Sequence, residues 1–467
     1  MMTTTATTEV TEATAGCSQA DGGGHRRLIE RLFDHVDIAS LAYFRIVVGA
    51  IVVWEVVRYF VHGWITRYYV VPTFHFTYYG FSWVRPWPAW GMHLHFALLG
   101  VCGAGVMLGW CYRAAAVGLW AAFSYVFLLD QARYLNHFYL LALITFLLMW
   151  LPAHRAWSID AYRDRRLKSD TAPAWALWIV RFQIAVPYFY AGIAKLNPDW
   201  LSGEPLGAWL RAQRGTPVIG PILANSQTPL LLAFGGIIFD LSIVPLLLWR
   251  RTRALGFIAA VLFHGTNSLM FQIGIFPALM LGATAMFFEP SWPRRLAQRL
   301  GSAWIAAPRE WVESSFPANR RLPERGRMIT VAIIAYVVVQ LVVPLRHWAY
   351  PGDVNWSDEG HRFSWRMKLR DKDAVATFIE IDRDTGEHRV IDPGQYLTAW
   401  QIDAMGSRPD MILQFAHFVR ARQTRQARVT AVVWASLNGH PYRQLIDPTV
   451  DLGSEPRTLR PVRWILQ

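Results

Sequence analysis

The sequence contains few charged residues, few lysines and few cysteines. Only 17% of its 467 residues are charged, and only four of its 46 basic residues are lysines. Disordered and nucleic-acid-binding chains need far more charge than this. Three cysteines are too few for a secreted disulfide scaffold. Metal-site patterns such as CxxC and HExxH do not occur, and neither does a phosphate-binding loop, so no motif predicts a bound metal.

Apolar sequence, by contrast, is abundant. The chain is 53% hydrophobic and contains 23 tryptophans. Nine apolar runs recur along it, and most approach the roughly 20 residues that cross a bilayer core. The sequence therefore predicts a mainly α protein, a polytopic transmembrane helical bundle of about nine spans. The runs cover residues 41–61, 92–112, 114–130, 135–152, 175–195, 228–249, 254–272, 275–289 and 329–346.

The placement of arginine predicts the orientation of these spans. If the N-terminal segment is cytoplasmic, the inside segments hold 20 basic residues and the outside segments hold five. Positive residues are retained inside, so the N-terminus is expected in the cytoplasm and, with an odd number of spans, the C-terminus outside. The arginine excess and the lack of a signal-peptide pattern favour an integral protein of a bacterial cytoplasmic membrane.

Composition also predicts three regions. Residues 1–40 are polar and rich in Thr, Ala and Gly, which indicates a disordered cytoplasmic tail, and residues 41–346 form the transmembrane domain. Residues 347–467 carry 16 basic and 15 acidic residues, which is typical of a water-facing domain. Alternating residues at 375–381 and 388–391 predict one hairpin, and an Asn-Gly turn at 438–439 predicts a second. This region is expected to be a small extracytoplasmic α+β domain.

Lys195 is the most informative single residue. It closes the apolar run 178–195 in a chain that uses arginine about ten times for every lysine. An ionisable group at membrane depth is costly and is usually functional. Burial disfavours the charged ammonium, which would make a neutral amine available as a base. The alternative is a lysine that extends its ammonium group to the outer membrane surface.

Four other polar residues lie in or at the end of apolar runs. Asn136 and His137 begin the fourth run, on the same predicted side of the membrane as Lys195, so a shared cavity is possible by topology. A structural hydrogen bond is the simpler interpretation of His137. His264 and Asn267 lie within the seventh run, where lipid would not tolerate them. They predict an interior hydrogen-bonding cluster or, alternatively, a substrate contact.

A series of segments resembles the vitamin K-dependent γ-glutamyl carboxylase family, whose bacterial-type members carry an HTTM domain. No single motif decides this, but the segments follow the family's order from the first span nearly to the C-terminus. They include Asn136-His137 in 135–140 and Lys195 in 188–200. The full set is 108–113, 125–130, 135–140, 154–160, 188–200, 263–268, 273–277, 355–356, 364–365, 434–438 and 446–451.

The resemblance implies an enzyme that oxygenates reduced vitamin K (phylloquinone or menaquinone hydroquinone) to the epoxide. This oxygenation supplies the strong base that removes a glutamate γ-proton, and CO2 then adds to the carbon. By similarity, Lys195 is the base that deprotonates the quinol and His137 supports proton abstraction. The implied quinol-site lining consists of Asn136, Tyr188, His264 and Asn267. The implied glutamate-binding stretch runs from Trp356 to Trp365 and includes His361 and Ser364.

Departures from the family leave alternatives open. Ala194 replaces a second lysine, and Gly360 and His361 replace an aliphatic–aromatic pair in the glutamate-binding stretch. The expected partners are membrane lipid, a lipid-soluble quinol and a Glu-containing exported peptide, with no nucleic acid. One alternative is quinol epoxidation without carboxylation. The other is a non-catalytic scaffold or transporter, although no internal repeat is found.

Overall fold

The chain is mainly helical, with a small sheet region near the C-terminus. A computed structural model describes residues 29–215, 220–300, 324–422 and 427–467. Each predicted apolar run forms a helix within these ranges. The nine helices are α1 (Ala39–Val61), α2 (Ala89–Leu108), α3 (Tyr112–Leu129), α4 (Asn136–Trp150), α5 (Ala174–Ala194), α6 (Thr228–Leu248), α7 (Arg253–Met270), α8 (Phe276–Thr284) and α9 (Glu324–Val342).

Six helical stretches of the described chain are long and apolar enough to cross a membrane: α1, α2, α3, α5, α6 and the stretch Gly326–Ala349, which contains α9. Helix α4 is shorter, and so is Phe276–Phe287, which extends α8. The count of nine spans is therefore not established helix by helix, although the polytopic helical class is confirmed.

Helices α1 and α2 pack closely against each other in the core of the bundle. A Cβ atom on Gly49 of α1 would lie 2.6 Å from the Met107 backbone nitrogen and 2.7 Å from the Gly103 carbonyl oxygen of α2. Only glycine permits this approach, which is how membrane helices gain van der Waals contact when lipid supplies no hydrophobic driving force between them.

Residues 29–40, which were predicted as part of a disordered tail, form a helical turn and a short strand. Residues 1–28 lie outside the described residues. Strand β1 (His35–Asp37) pairs antiparallel with β2 (Thr171–Pro173), immediately before α1 and α5 respectively. The Asp37 carboxylate accepts hydrogen bonds from the buried Arg294 guanidinium at 3.0 Å, which ties this end of the bundle together.

The C-terminal region contains a four-stranded antiparallel sheet in the order β4-β3-β5-β6, and both predicted hairpins are confirmed. Helix α11 packs on β5, and its Phe415 meets Phe378 of β3 edge-on at 4.8 Å between ring centroids. The elements are β3 (Lys372–Asp382), β4 (His388–Ile391), α10 (Ala399–Gly406), α11 (Pro409–Arg420), β5 (Ala427–Leu437) and β6 (Arg443–Gln444).

The sheet region is fastened to one end of the helical bundle. Phe76, in the loop between α1 and α2, is fully buried in the core of the sheet region. The backbone nitrogen of Thr77 donates to the Gln414 side chain at 2.9 Å, and Gln131, just after α3, donates to Asp410 at 2.5 Å. The helix ends that carry the candidate site therefore lie under the sheet region.

Candidate active site

Lys195 caps the C-terminus of α5 and is buried, with 7% of its surface exposed. Its Nζ atom donates a hydrogen bond to Asp240 of α6, which is only 4% exposed. The lysine therefore does not reach out to the membrane surface. An isolated buried ammonium would be very costly, and the carboxylate offsets that cost by charge and hydrogen bonding.

Apolar and aromatic side chains surround this pair. The Lys195 Nζ atom lies 5.4 Å from the centroid of the Trp200 ring, and the indole nitrogen of Trp200 donates to the Ala233 carbonyl at 3.0 Å. Leu369, which precedes the sheet region in the chain, is 1% exposed and packs into the same cluster. Because Lys195 and Asp240 are only 7% and 4% exposed, bulk water has little access to the pair.

A second buried polar cluster centres on Tyr188, two turns before Lys195 on α5. The Tyr188 hydroxyl lies 2.8 Å from Nε2 of His264 and 3.4 Å from Oγ1 of Thr284. His264 is 1% exposed, and its Nδ1 atom has no hydrogen-bond partner among the described residues. A buried imidazole nitrogen without a partner is costly, which makes it a candidate contact for a polar group of a ligand.

His137 lies in the first turn of α4 and packs toward this cluster. Its ring centroid is 5.9 Å from that of Phe276, and Phe276 is 5.7 Å from His264. Asn267 is half-buried one turn beyond His264 and is not part of the Tyr188–His264 hydrogen-bond set in the described structure.

The two clusters adjoin at residues 239–240 of α6. The Phe239 ring meets Tyr188 edge-on at 5.9 Å, and the next residue, Asp240, pairs with Lys195. His137 and Lys195 are therefore joined through packed side chains rather than by a direct hydrogen bond. The sequence-based expectation of a common chamber remains a prediction, and the structure provides a continuous route of contacts between them.

Asn136 connects the helical bundle to the chain leading into the sheet. Its side-chain nitrogen donates to the Arg366 carbonyl at 3.2 Å, and its side-chain oxygen accepts from the Tyr134 hydroxyl at 2.9 Å. The same hydroxyl accepts from the backbone nitrogen of Phe363 at 2.7 Å. The predicted glutamate-binding stretch is thus held beside His137.

The two tryptophans of that stretch are both buried but differ in their hydrogen bonding. Trp356 is 1% exposed, and its indole nitrogen donates to the Leu466 carbonyl at 2.6 Å. Trp365 is fully buried and packs on Tyr139 at 4.9 Å, and its indole nitrogen has no partner among the described residues. Trp356 is therefore committed to internal contacts, whereas Trp365 retains a free donor.

The polar residues of the stretch are also engaged. The Ser364 hydroxyl donates to the His361 carbonyl at 2.5 Å. Burial and the nearby Arg370 guanidinium hold the pKa of His361 well below its usual range, against the opposing effect of Asp358. The ring is therefore neutral near pH 7 and offers no positive charge to a glutamate carboxylate.

An apolar cavity lies between α1, α2, α3 and α4, adjacent to the His137 end of α4. Most of its lining is aliphatic or aromatic, and Glu55 and Arg133 supply the only charged groups among the lining residues. The lining is therefore apolar apart from the Glu55 and Arg133 side chains and the Tyr59 and Tyr69 hydroxyl groups. Its lining comprises Val52, Glu55, Val56, Tyr59, Tyr69, Phe96, Leu99, Phe123, Val126, Phe127, Arg133, Phe138 and Leu141.

Comparison with known families agrees with this arrangement. A family model described as HTTM domain matches residues 33–292, more than half of the chain. A second, described as vitamin K-dependent gamma-carboxylase, lumenal domain, matches residues 325–467. The chain belongs to the vitamin K-dependent carboxylase family. No solved structure matches it.

Membership divides the candidate site between the two matched regions. The HTTM match contains Lys195, Asp240 and His137, and the lumenal match begins at the start of α9 and contains the stretch 356–365. The family implies an integral membrane protein that uses vitamin K hydroquinone. The hydrogen bond from Asn136 to Arg366 therefore joins the two parts of this carboxylase homologue at the site.

Proposed function

We propose that this carboxylase homologue oxygenates reduced vitamin K to its epoxide and couples that reaction to γ-carboxylation of peptide glutamate by CO2. The observation that carries the proposal is the Lys195–Asp240 pair, which is buried at the end of α5 beside the apolar cluster of Trp200, Ala233 and Leu369. A reaction that forms a strong base needs such a site, because water would quench the base before it reached the substrate.

The residues of the site fit a lipid-derived hydroquinone. Its ring and chain require apolar walls, which the cavity between α1 and α4 and the cluster around Trp200 provide. Its hydroxyl groups require hydrogen-bond partners, and Nδ1 of His264 and the indole nitrogen of Trp365 are buried atoms that have no partner within the described ranges. When bound, reduced vitamin K supplies, with oxygen, the strong base that no side chain provides near neutral pH.

The role of Lys195 in this proposal is to accept a proton at Nζ. Its pairing with Asp240 allows two arrangements of one proton: ammonium with carboxylate, or neutral amine with carboxylic acid. Burial penalises both charges of the first arrangement, so the second costs much less here than it would in water. Asp240 thereby makes a neutral amine available without releasing a proton to solvent, which reconciles the expected amine base with its carboxylate partner.

The remaining residues position the substrate and exclude water in this proposal. His137 stabilises the charge that develops when the glutamate γ-proton is removed, and Asn136 holds the covering stretch over it by its bond to Arg366. Tyr188 and Thr284 fix the orientation of the His264 ring. Asn267 and Ser364 act from the edge of the site.

The proposal includes an orientation and domain boundaries. The N-terminus lies in the cytoplasm of a bacterial cell, residues 41–346 form the membrane domain, and residues 347–467 face outward, where an exported Glu-containing peptide would reach the site. Support comes from the distribution of arginine, with 20 basic residues in the inside segments and five in the outside segments.

A second candidate function is quinol epoxidation without carboxylation. The internal hydrogen bonds of Trp356 and Ser364 and the lowered pKa of His361 support it, because they leave these three residues with less capacity to bind a glutamate carboxylate.

Purified protein in nanodiscs, supplied with reduced vitamin K, oxygen, bicarbonate and a Glu-containing peptide, tests both functions. We expect vitamin K epoxide to form and labelled CO2 to enter the peptide. Epoxide without incorporated label would select the second function. Folded wild-type protein that forms no epoxide would exclude both.

His137→Ala is expected to uncouple the two reactions. Loss of a group that stabilises developing charge should lower carboxylation by about 10²-fold while epoxide formation persists. The measurement is labelled CO2 incorporated per epoxide formed. His388→Ala, on the exposed strand β4, is the matched control and should leave this ratio unchanged. Equal loss of both reactions in H137A would contradict the role given to His137.

A further inference from the structure

The Asn438 side chain joins the sheet region to the loop that follows Lys195. It lies at the turn between β5 and β6 and is buried, with 5% of its surface exposed. Its Nδ2 atom donates to Oδ2 of Asp199 at 2.7 Å, and its Oδ1 atom accepts from the backbone nitrogen of Asp371 at 2.8 Å. Nε2 of His440, in the same hairpin, lies 3.1 Å from Oδ1 of Asp199. Both carboxylate oxygens of Asp199 are therefore held by the sheet region.

Asp199 precedes Trp200, whose ring borders Lys195. The two residues belong to one short helical turn, and Nζ of Lys195 lies 5.4 Å from the ring centroid of Trp200. A Cβ atom placed on Gly236 of α6 would lie 3.7 Å from Cε of Lys195 and 3.7 Å from the Trp200 ring, so both side chains pack against α6 at this glycine. A displacement of Asp199 would therefore move the ring that lies beside the Lys195 amine.

The same asparagine also fixes the chain that enters the sheet. Its backbone nitrogen donates to the Asp371 carbonyl at 2.7 Å, in addition to the side-chain contact with the Asp371 backbone nitrogen. Leu369, two residues earlier, packs with Trp200 in a buried apolar cluster. Because Asn438 binds Asp371 and Asp199 together, it holds Leu369 and Trp200 in one place relative to each other.

This arrangement matters for the proton on Lys195. Water that reached the Lys195–Asp240 pair would solvate the ammonium and the carboxylate, and would favour that charged arrangement over the neutral amine. A hydrogen bond to a carboxylate is among the stronger ones in proteins, and its loss shifts an equilibrium between closed and open states by about tenfold or more. The hydrogen bond from Asn438 to Asp199 is therefore strong enough to control the access of water.

We propose that Asn438 and Asp199 are positioning residues for Lys195. Their hydrogen bond holds the Trp200 ring beside the amine and limits the access of water to it. This inference rests on the proposed function, in which Lys195 accepts a proton, and it gives the sheet region a part in quinol oxygenation that is separate from peptide recognition. A merely structural connection would fasten the sheet region without altering the surroundings of Lys195.

Acetylation by a water-soluble lysine reagent, measured residue by residue with mass spectrometry, tests this access without turnover. Besides Lys195 the chain has three lysines: Lys168 and Lys368 are exposed, and the side chain of Lys372 is only 2% exposed. In the full-length wild-type protein in nanodiscs, Lys195 should react slowly. Asp199→Ala should raise its rate of acetylation about tenfold, the effect of a lost hydrogen bond to a carboxylate, while Lys372 stays protected and reports that the sheet region is folded.

Exchange of the two side chains is the sharper test. Asn438→Asp places two carboxylates opposite each other and should raise acetylation of Lys195 about tenfold. The double variant Asp199→Asn/Asn438→Asp restores the hydrogen bond with donor and acceptor reversed, and should return the rate to within about twofold of wild type. Tyr442→Phe, which removes the hydrogen bond from the same hairpin to Asp373, is the matched control and should leave the rate unchanged.

Epoxide formation at saturating quinol is the second measurement, and it should fall about tenfold in N438D and recover in the double variant. His440→Ala removes a side chain that is 64% exposed and should raise acetylation of Lys195 about threefold, so the proposal stays testable if the other variants expose Lys372 and have unfolded.

Unchanged acetylation of Lys195 in folded D199A, or in H440A where the other variants have unfolded, would overturn the proposal. A rise in N438D that the double variant does not reverse would do the same. Wild-type protein that forms no epoxide would refute the proposed function, while the acetylation rates would still decide whether Asn438 and Asp199 position Lys195.

Discussion

Lys195→Met is expected to lower vitamin K epoxide formation by about 10²- to 10⁴-fold, the usual contribution of a positioned general base. The Lys195 nitrogen is the proton acceptor in the proposed chemistry, and methionine preserves the length and apolar stem of the side chain without the amine. The initial rate of epoxide formation at saturating quinol is the quantity to measure. Carboxylation should fall to the same extent, because it depends on the oxygenation that precedes it.

Two further variants test this expectation. Lys168→Met removes an exposed lysine on the other side of the predicted membrane and should leave the rate unchanged. Asp240→Asn keeps a hydrogen-bonding partner for Lys195 but cannot take up the proton, so it should also slow epoxide formation. A K195M protein that binds quinol and forms epoxide at the wild-type rate would refute the proposed role of Lys195.

The fold class was accessible from the sequence because apolar length and alternation are local properties. Each apolar run became a helix, and Asn438-Gly439 marked the turn of the second hairpin. The number of spans was less accessible, since α4 and α8 are short and their place in the membrane depends on packing. The ordering of residues 29–40 depends on pairing with residues 171–173, which no local pattern reveals.

The candidate site was likewise predictable where the signal is local in the sequence, and not where it depends on helix packing. Lys195 was conspicuous because lysine is rare in this chain, whereas its partner Asp240 was missed. A signal for Asp240 existed, since it is the only charged residue in α6, and a carboxylate at membrane depth is usually functional. The partnership itself follows from packing of α6 on α5, which the sequence does not display. The family resemblance predicts a glutamate contact for Trp356 but not its burial, which depends on packing: the side chain is 1% exposed and its indole nitrogen donates to the Leu466 carbonyl.

The second large expected effect concerns the contribution of the Lys195–Asp240 pair to the stability of the protein. Lys195→Met alone or Asp240→Leu alone should lower the free energy of unfolding by about 3–5 kcal/mol, because each leaves one buried charge without its partner. The double variant K195M/D240L should recover most of this loss, since apolar side chains replace both charges beside the apolar cluster of Trp200, Ala233 and Leu369. Denaturant unfolding in detergent micelles measures the three changes.

Whether these changes in the free energy of unfolding are additive distinguishes two reasons for retaining the Lys195–Asp240 pair. A positive coupling of several kcal/mol, together with loss of epoxide formation in all three variants, means that the charges are kept for chemistry rather than for stability. Additive losses would instead mean that the two side chains contribute independently. In that case Lys195 and Asp240 do not share a proton, and the proposal that Asp240 makes a neutral amine available fails.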